Sequence, residues 1–155
     1  MHSRLFQLSE EVIAKDNYIE EQDLYDSFVG PIADYVGEIE NRIDDLGWLA
    51  SALTPHGATI DVEKGTVHLP KGFKVSYFKK RYEEFKKLAG RVSLEAFAGV
   101  DGAPDAHWKH PLEMLIENKF EFYVYTDYPQ TLDDFVRYAK EDTTYYVGAV
   151  FDYHY

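Results

Sequence analysis

The chain has 155 residues, 45% apolar and 16% aromatic, a length and content that build one buried core and exclude a disordered chain. Its formal net charge of −12 disfavours nonspecific contact with nucleic acid or anionic membrane, and neither is expected as a partner. Without cysteine there is no disulfide, thiolate nucleophile or Cys-ligated metal; without an apolar run near the roughly 20 residues that span a bilayer, or a basic-then-apolar leader, a cytoplasmic protein of one domain, residues 1–155, is expected.

Residues 4–8 (RLFQL) read as a short strand. Residues 10–25 are acidic and weakly periodic, with a helical turn or two expected around Leu24, Tyr25 and Phe28 before Gly30-Pro31. Pro31 suits the first turn of a short helix over 32–36. Residues 38–53 predict a helix whose stripe is Ile39, Ile43, Leu46, Leu49, Ala50 and Leu53, stopped by Thr54-Pro55. Two β-branched runs over 59–69 flank Lys64-Gly65 and predict a hairpin, since glycine supplies the positive φ of a tight turn.

Residues 75–90 are the most regular stretch. Val75, Phe78, Tyr82, Phe85 and Leu88 recur at three- and four-residue steps, predicting a buried stripe capped by Ser76 and ended by a left-handed Gly90. Lys79–Glu83, Lys80–Glu84 and Glu83–Lys87 are opposite charges four apart, expected to pair on the wet side. Ser93 caps a short helix over 94–98, and residues 100–106 (VDGAPDA) are loop by composition. A third helix is predicted over 107–118, starting properly near His110 because Pro111 belongs in a first turn, with Trp108, Leu112, Leu115 and Ile116 on one face.

Residues 120–125 (FEFYVY) alternate, which predicts a strand near the sheet centre with Phe120, Phe122 and Val124 buried and Tyr123 and Tyr125 on a half-wet face. Thr131 caps a helix carrying Leu132, Phe135, Val136 and Ala139, with Asp133 and Asp134 in its first turn. Residues 144–151 form the last strand, in which Gly148 marks a bulge or close packing. The expected fold is α+β, a mixed sheet of about five strands with helices mainly on one face. The 120–125 strand, the Thr131 helix and the last strand are expected to make a right-handed parallel crossover.

Chemistry is thinly marked. There is no phosphate-binding glycine loop, no nucleophile elbow and no His-Glu-x-x-His, so no catalytic residue and no cofactor is nominated. His107 and His110 with Glu113 and Glu117 lie along one helix, but Pro111 perturbs that turn and no zinc spacing is matched, so no metal is expected. The acidic pairs Glu20-Glu21, Asp44-Asp45 and Asp133-Asp134 read as solvated faces or helix starts. The basic group Lys79, Lys80, Arg81, Lys86, Lys87 and Arg91 reads as a salt-bridged solvent face.

The charge distribution is the informative feature. Residues 9–45 hold twelve acids against two bases, a balance of −10, whereas 64–91 hold nine bases against two acids, a balance of +7. Dense carboxylates can imitate a phosphate backbone or steer association with a basic protein surface. In the acidic third they interleave with Tyr18, Leu24, Tyr25 and Phe28, as at an anchored interface with a polar rim. The chain is therefore expected to be a non-enzymatic acidic interaction protein, an inhibitor, immunity-type or regulatory module. It would bind a basic protein through Glu20, Glu21, Asp23, Tyr25 and Asp26. The alternative is a small enzyme or ligand-binding domain with a pocket lined by Tyr123, Tyr125 and Tyr146.

Overall fold

The computed structural model describes residues 1–100, 102 and 105–155; the loop expected over 100–106 falls, at 101, 103 and 104, outside the described residues. In chain order the elements are β1 (His2–Ser9), two 3-10 turns (Lys15–Asn17 and Glu21–Leu24), β2 (Tyr35–Glu38), α1 (Arg42–Leu53), a further 3-10 turn (Thr54–His56), β3 (Thr59–Asp61) and β4 (Thr66–Leu69). There follow α2 (Phe73–Ala89), α3 (Leu94–Phe97), a π-helical turn (Asp105–Lys109) where loop was expected through 106, α4 (His110–Ile116), β5 (Tyr123–Tyr125), β6 (Pro129–Thr131), α5 (Leu132–Tyr138) and β7 (Thr143–His154). The fold is α+β on a mixed sheet of seven strands, ordered β3-β4-β7-β1-β5-β6, with β2 also paired to β7. Among the strands of the described residues, β1 and β5 run parallel and the other pairs antiparallel.

β7 holds the sheet together. One edge pairs with β1, while the other takes β4 at its start and β2 at its end. Between Phe6 and Leu8 the register shifts, so that Gly148 and Ala149 oppose Gln7 alone. This bulge reverses the side-chain alternation. Before it, Tyr145 and Val147 face the helices; after it, Val150 does, and Ala149, Phe151 and Tyr153 face the other way. Side chains answer backbone groups at the bulge: Arg42 donates to the Gly148 carbonyl (2.6 Å) and the Val147 carbonyl (2.7 Å), and the Ala149 amide donates to Gln7 Oε1 (2.9 Å). Glycine is required here, since a Cβ on residue 148 would stand 2.3 Å from Gln7 Oε1 and 2.9 Å from Ile13 Cδ1.

Both sheet faces are covered. On one, Phe6, Leu8, Val67, Val124 and Val150 pack under Leu46, Leu49 and Leu53 of α1, Phe73 and Tyr77 of α2, and Leu132, Phe135 and Val136 of α5. On the other, Leu5, Tyr123, Ala149, Phe151 and Tyr153 pack under Leu24, Phe28, Ala33 and Val36. The face expected to be half-wet is thus a second core, roofed by irregular chain.

Several expectations are corrected. The helix expected over 32–36 is replaced by a turn, an isolated bridge at Ala33 and the start of strand β2. The crossover is not parallel: β1 lies between β5 and β7, and runs parallel to β5 but antiparallel to β7. β5 lies next to the β6 edge rather than at the centre, and Phe120 is exposed while Phe122 is half-buried. α1 begins at Arg42, because the Asn41 side chain accepts from the Ile43 and Asp44 amides, and Ile43 stays outside.

α2 is rotated from its expected face. It starts after Gly72, at φ +84, and its buried residues are Phe73 and Tyr77; Val75 and Tyr82 are 74% and 59% exposed. The cause is a buried carboxylate. Asp133, 3% exposed, accepts from Tyr77 Oη (2.9 Å), from both guanidinium nitrogens of Arg81 (2.5 and 2.6 Å) and from the Asn118 amide (2.7 Å). Turning Arg81 inward to this acid turns Tyr82 outward. Gly90 ends the helix at φ −67 and is not left-handed. Among the described residues none of the three expected Lys–Glu pairs on α2 closes to an ion pair.

Candidate functional site: an acidic surface around the β2 edge

The acidic third is pinned to the second face by Leu24 and Phe28, both fully buried; Phe28 packs edge-on against Tyr123 and Tyr153, each with ring centroids 5.0 Å away. Gln7 fastens the segment to the bulge, accepting from the Ile19 amide (3.2 Å) and donating to the Asn17 carbonyl (3.1 Å). With Leu24 inward, Tyr25 is turned outward and is 55% exposed.

Two shallow clefts open on this surface. The first, of about 510 Å³, is lined by Ile19, Glu20, Glu21, Gln22, Tyr25, Glu38 and Phe151. The second, of about 300 Å³, is lined chiefly by Arg4, Glu38, Glu40, Asp44, Asp45, Trp48 and Asp152. Glu38, at the end of β2, borders both, so the two clefts, one on each face of the sheet, meet at the β2 edge. Its arginine is already neutralised: Arg4 Nε donates to Asp45 Oδ1 (2.6 Å), Arg4 Nη1 donates to Asp152, and the guanidinium lies 4.5 Å from the Trp48 ring centroid. Glu20, Glu38, Glu40 and Asp44 remain exposed, beside half-exposed Trp48.

Of the expected partner-binding residues, Glu20, Glu21 and Tyr25 line the first cleft together. Asp23 is engaged locally, accepting from the Glu20 amide (2.8 Å) in a capping box, and exposed Asp26 occupies a turn at φ +66. Glu38, Glu40 and Trp48, not singled out by sequence, complete the surface together with Asp44, which sequence read only as a solvated face or helix start and which lies in the first turn of α1. Their signal, acids at 38, 40 and 44 leading to an exposed aromatic, is visible only once Asn41 is known to start the helix.

The tyrosines of the alternative reading lie apart from these clefts. Tyr123 is in the second core, where burial pushes its phenol up to about 12. Tyr125 is half-buried against that core, and Tyr146 pairs with Ser9 and Thr66 in the ladder. None of the three lines any cleft described here. His110, Glu113 and Glu117 border a cleft at α4, with Glu117 accepting from the Thr131 hydroxyl (2.9 Å). Among the described residues, no group of three His, Asp or Glu side chains is placed to hold a metal ion, and no helix is long and apolar enough to cross a membrane.

No family model, no curated protein and no solved structure matches this chain.

Proposed function

We propose that this chain is a non-enzymatic interaction protein, an inhibitory or regulatory module, that binds a basic protein surface through the acid-lined clefts around β2. The observation that carries this reading is their union at Glu38, which sets exposed carboxylates around two exposed aromatic anchors, Tyr25 and Trp48. Aromatic anchors ringed by charge are the usual composition of an interface hot spot, and the net negative field steers a basic partner toward it.

The test is capture on immobilised protein, run in parallel with the charge-reversed variant Glu20→Lys/Glu21→Lys/Glu38→Lys/Glu40→Lys and with Trp48→Ser. Support is a basic protein retained by the wild type and lost by both variants while each keeps its circular dichroism spectrum. A partner retained equally by all three overturns the reading.

A further inference from the structure

α2 lies on the helical face of the sheet, which it shares with α1 and α5, and packs beside α4. Between them runs a groove of about 240 Å³ lined by Phe78, Tyr82, Phe85, Leu115 and Ile116, with Arg81 and Arg137 at its side. Its floor is aromatic, and its guanidiniums are already engaged. Arg81 is held by Asp133; Arg137 donates to Asp134 (3.0 Å) and to the Ile116 carbonyl and lies 4.8 Å from the Phe78 ring. Tyr82 and Ile116 are 59% and 50% exposed. On the same helix and just past it, Lys79, Lys80, Lys86, Lys87 and Arg91 are exposed and, among the described residues, meet no acid. Lys86 Nζ stands 4.6 Å from the Tyr82 ring centroid.

We propose that the α2–α4 groove is a second docking surface, which takes an acidic amphipathic helix of a partner protein. A slot between two helices with an apolar floor accepts side chains spaced three and four apart on a third helix, and Lys86, which stands against the groove's Tyr82, with Lys79 three residues before that tyrosine, complements carboxylates on that helix. This chain's own acidic segment does not supply the occupant. It holds 3-10 turns, and its Leu24 and Phe28 are buried. A lipid or nucleic-acid surface fits less well, because the groove between the helices is floored by apolar side chains that a flat bilayer or a phosphate backbone would leave unfilled. The proposal is independent of the acidic clefts.

The probe is a fluorescein-labelled peptide of about 18 residues, long enough for five helical turns, with leucines at three- and four-residue steps and glutamates elsewhere. Two control peptides carry lysine for glutamate, or the same composition with the leucines scrambled. Fluorescence anisotropy on the full chain should show saturable binding of the Leu/Glu peptide and at least about tenfold weaker binding of both controls. Ile116→Ser and Tyr82→Ser, at exposed positions, should each weaken it about tenfold, and Lys79→Glu/Lys86→Glu should weaken it and flatten its salt dependence.

Absence of saturable binding, equal binding of the lysine peptide, or binding indifferent to these substitutions overturns the proposal. So does self-association in sedimentation that Tyr82→Ser abolishes, which would make a second copy the occupant. Cosedimentation with phosphatidylserine vesicles that Lys79→Glu/Lys86→Glu abolishes would assign the face to a membrane and overturn it equally.

Discussion

Asp133→Ala tests the link between the buried carboxylate and the orientation of α2. The substitution orphans three groups at once: the Arg81 guanidinium, the Tyr77 hydroxyl and the Asn118 amide. Breaking a buried ion pair from one side costs about 3–5 kcal/mol, because a charge is left without compensation. Arg81 is 23% exposed at its side chain, so water recovers part of that, while the two orphaned donors add about 1 kcal/mol each. We therefore expect a loss of about 3–4 kcal/mol by urea denaturation. Asp133→Asn, which keeps the shape and loses the charge, should fall between it and the wild type.

The pH dependence has a definite sign. Burial raises the Asp133 pKa, but the hydrogen bonds from Arg81, Asn118 and Tyr77 and the Arg81 charge outweigh burial and hold it below its ordinary 3.8. A depressed carboxyl pKa gives stability that is complete above the unfolded value and lost as pH falls toward the folded one, so the gap between wild type and variant should close only below about pH 4. A loss under about 1 kcal/mol at neutral pH, or a gap that closes as pH rises, would refute the reasoning.

Gly148→Ala should cost about 1–3 kcal/mol in urea by driving a methyl into Gln7 and Ile13. The double variant with Gln7→Ala should lose less than the sum of the two single losses, because the first substitution clashes with the side chain the second removes. Phe28→Ala, in the second core, should cost about 3–5 kcal/mol, whereas Tyr82→Ala should cost under about 1 kcal/mol; the reverse order would place the stripe of α2 back in the core.

The first and last strands, the second half of the 120–125 strand, the 59–69 hairpin and the caps at Ser93 and Thr131 were legible because each rests on neighbours in sequence: alternation, a glycine turn, a hydroxyl three residues before an amide; β2 and β6 were not. The glycine within the last strand marked close packing at 148, while its partners Gln7 and Ile13 lie far off in sequence. What escaped depends on distant partners. Tyr82 looks as apolar as Tyr77, and only Asp133, 52 positions from Arg81, decides which of them faces inward. The second core was hidden because its roof, residues 18–36, has no periodic stripe; Leu24 and Phe28 are buried singly from irregular chain. The candidate surface was half legible. Glu20, Glu21 and Tyr25 stand together in sequence, while Glu38, Glu40 and Trp48 join them only through the pairing of β2 with β7.

The central claim is that the carboxylates around β2 act on a partner at a distance. The most direct measurement is the association rate of the captured partner by stopped flow, for the wild type and for Glu20→Lys/Glu21→Lys/Glu38→Lys/Glu40→Lys, across a salt series. Exposed charges are screened over about 8–10 Å at physiological ionic strength. The wild-type on-rate should therefore fall steeply with salt, and that of the variant should begin low and stay nearly flat, with dissociation changing less. An on-rate insensitive both to salt and to the reversals would contradict the claim and leave the acidity a feature of solubility alone.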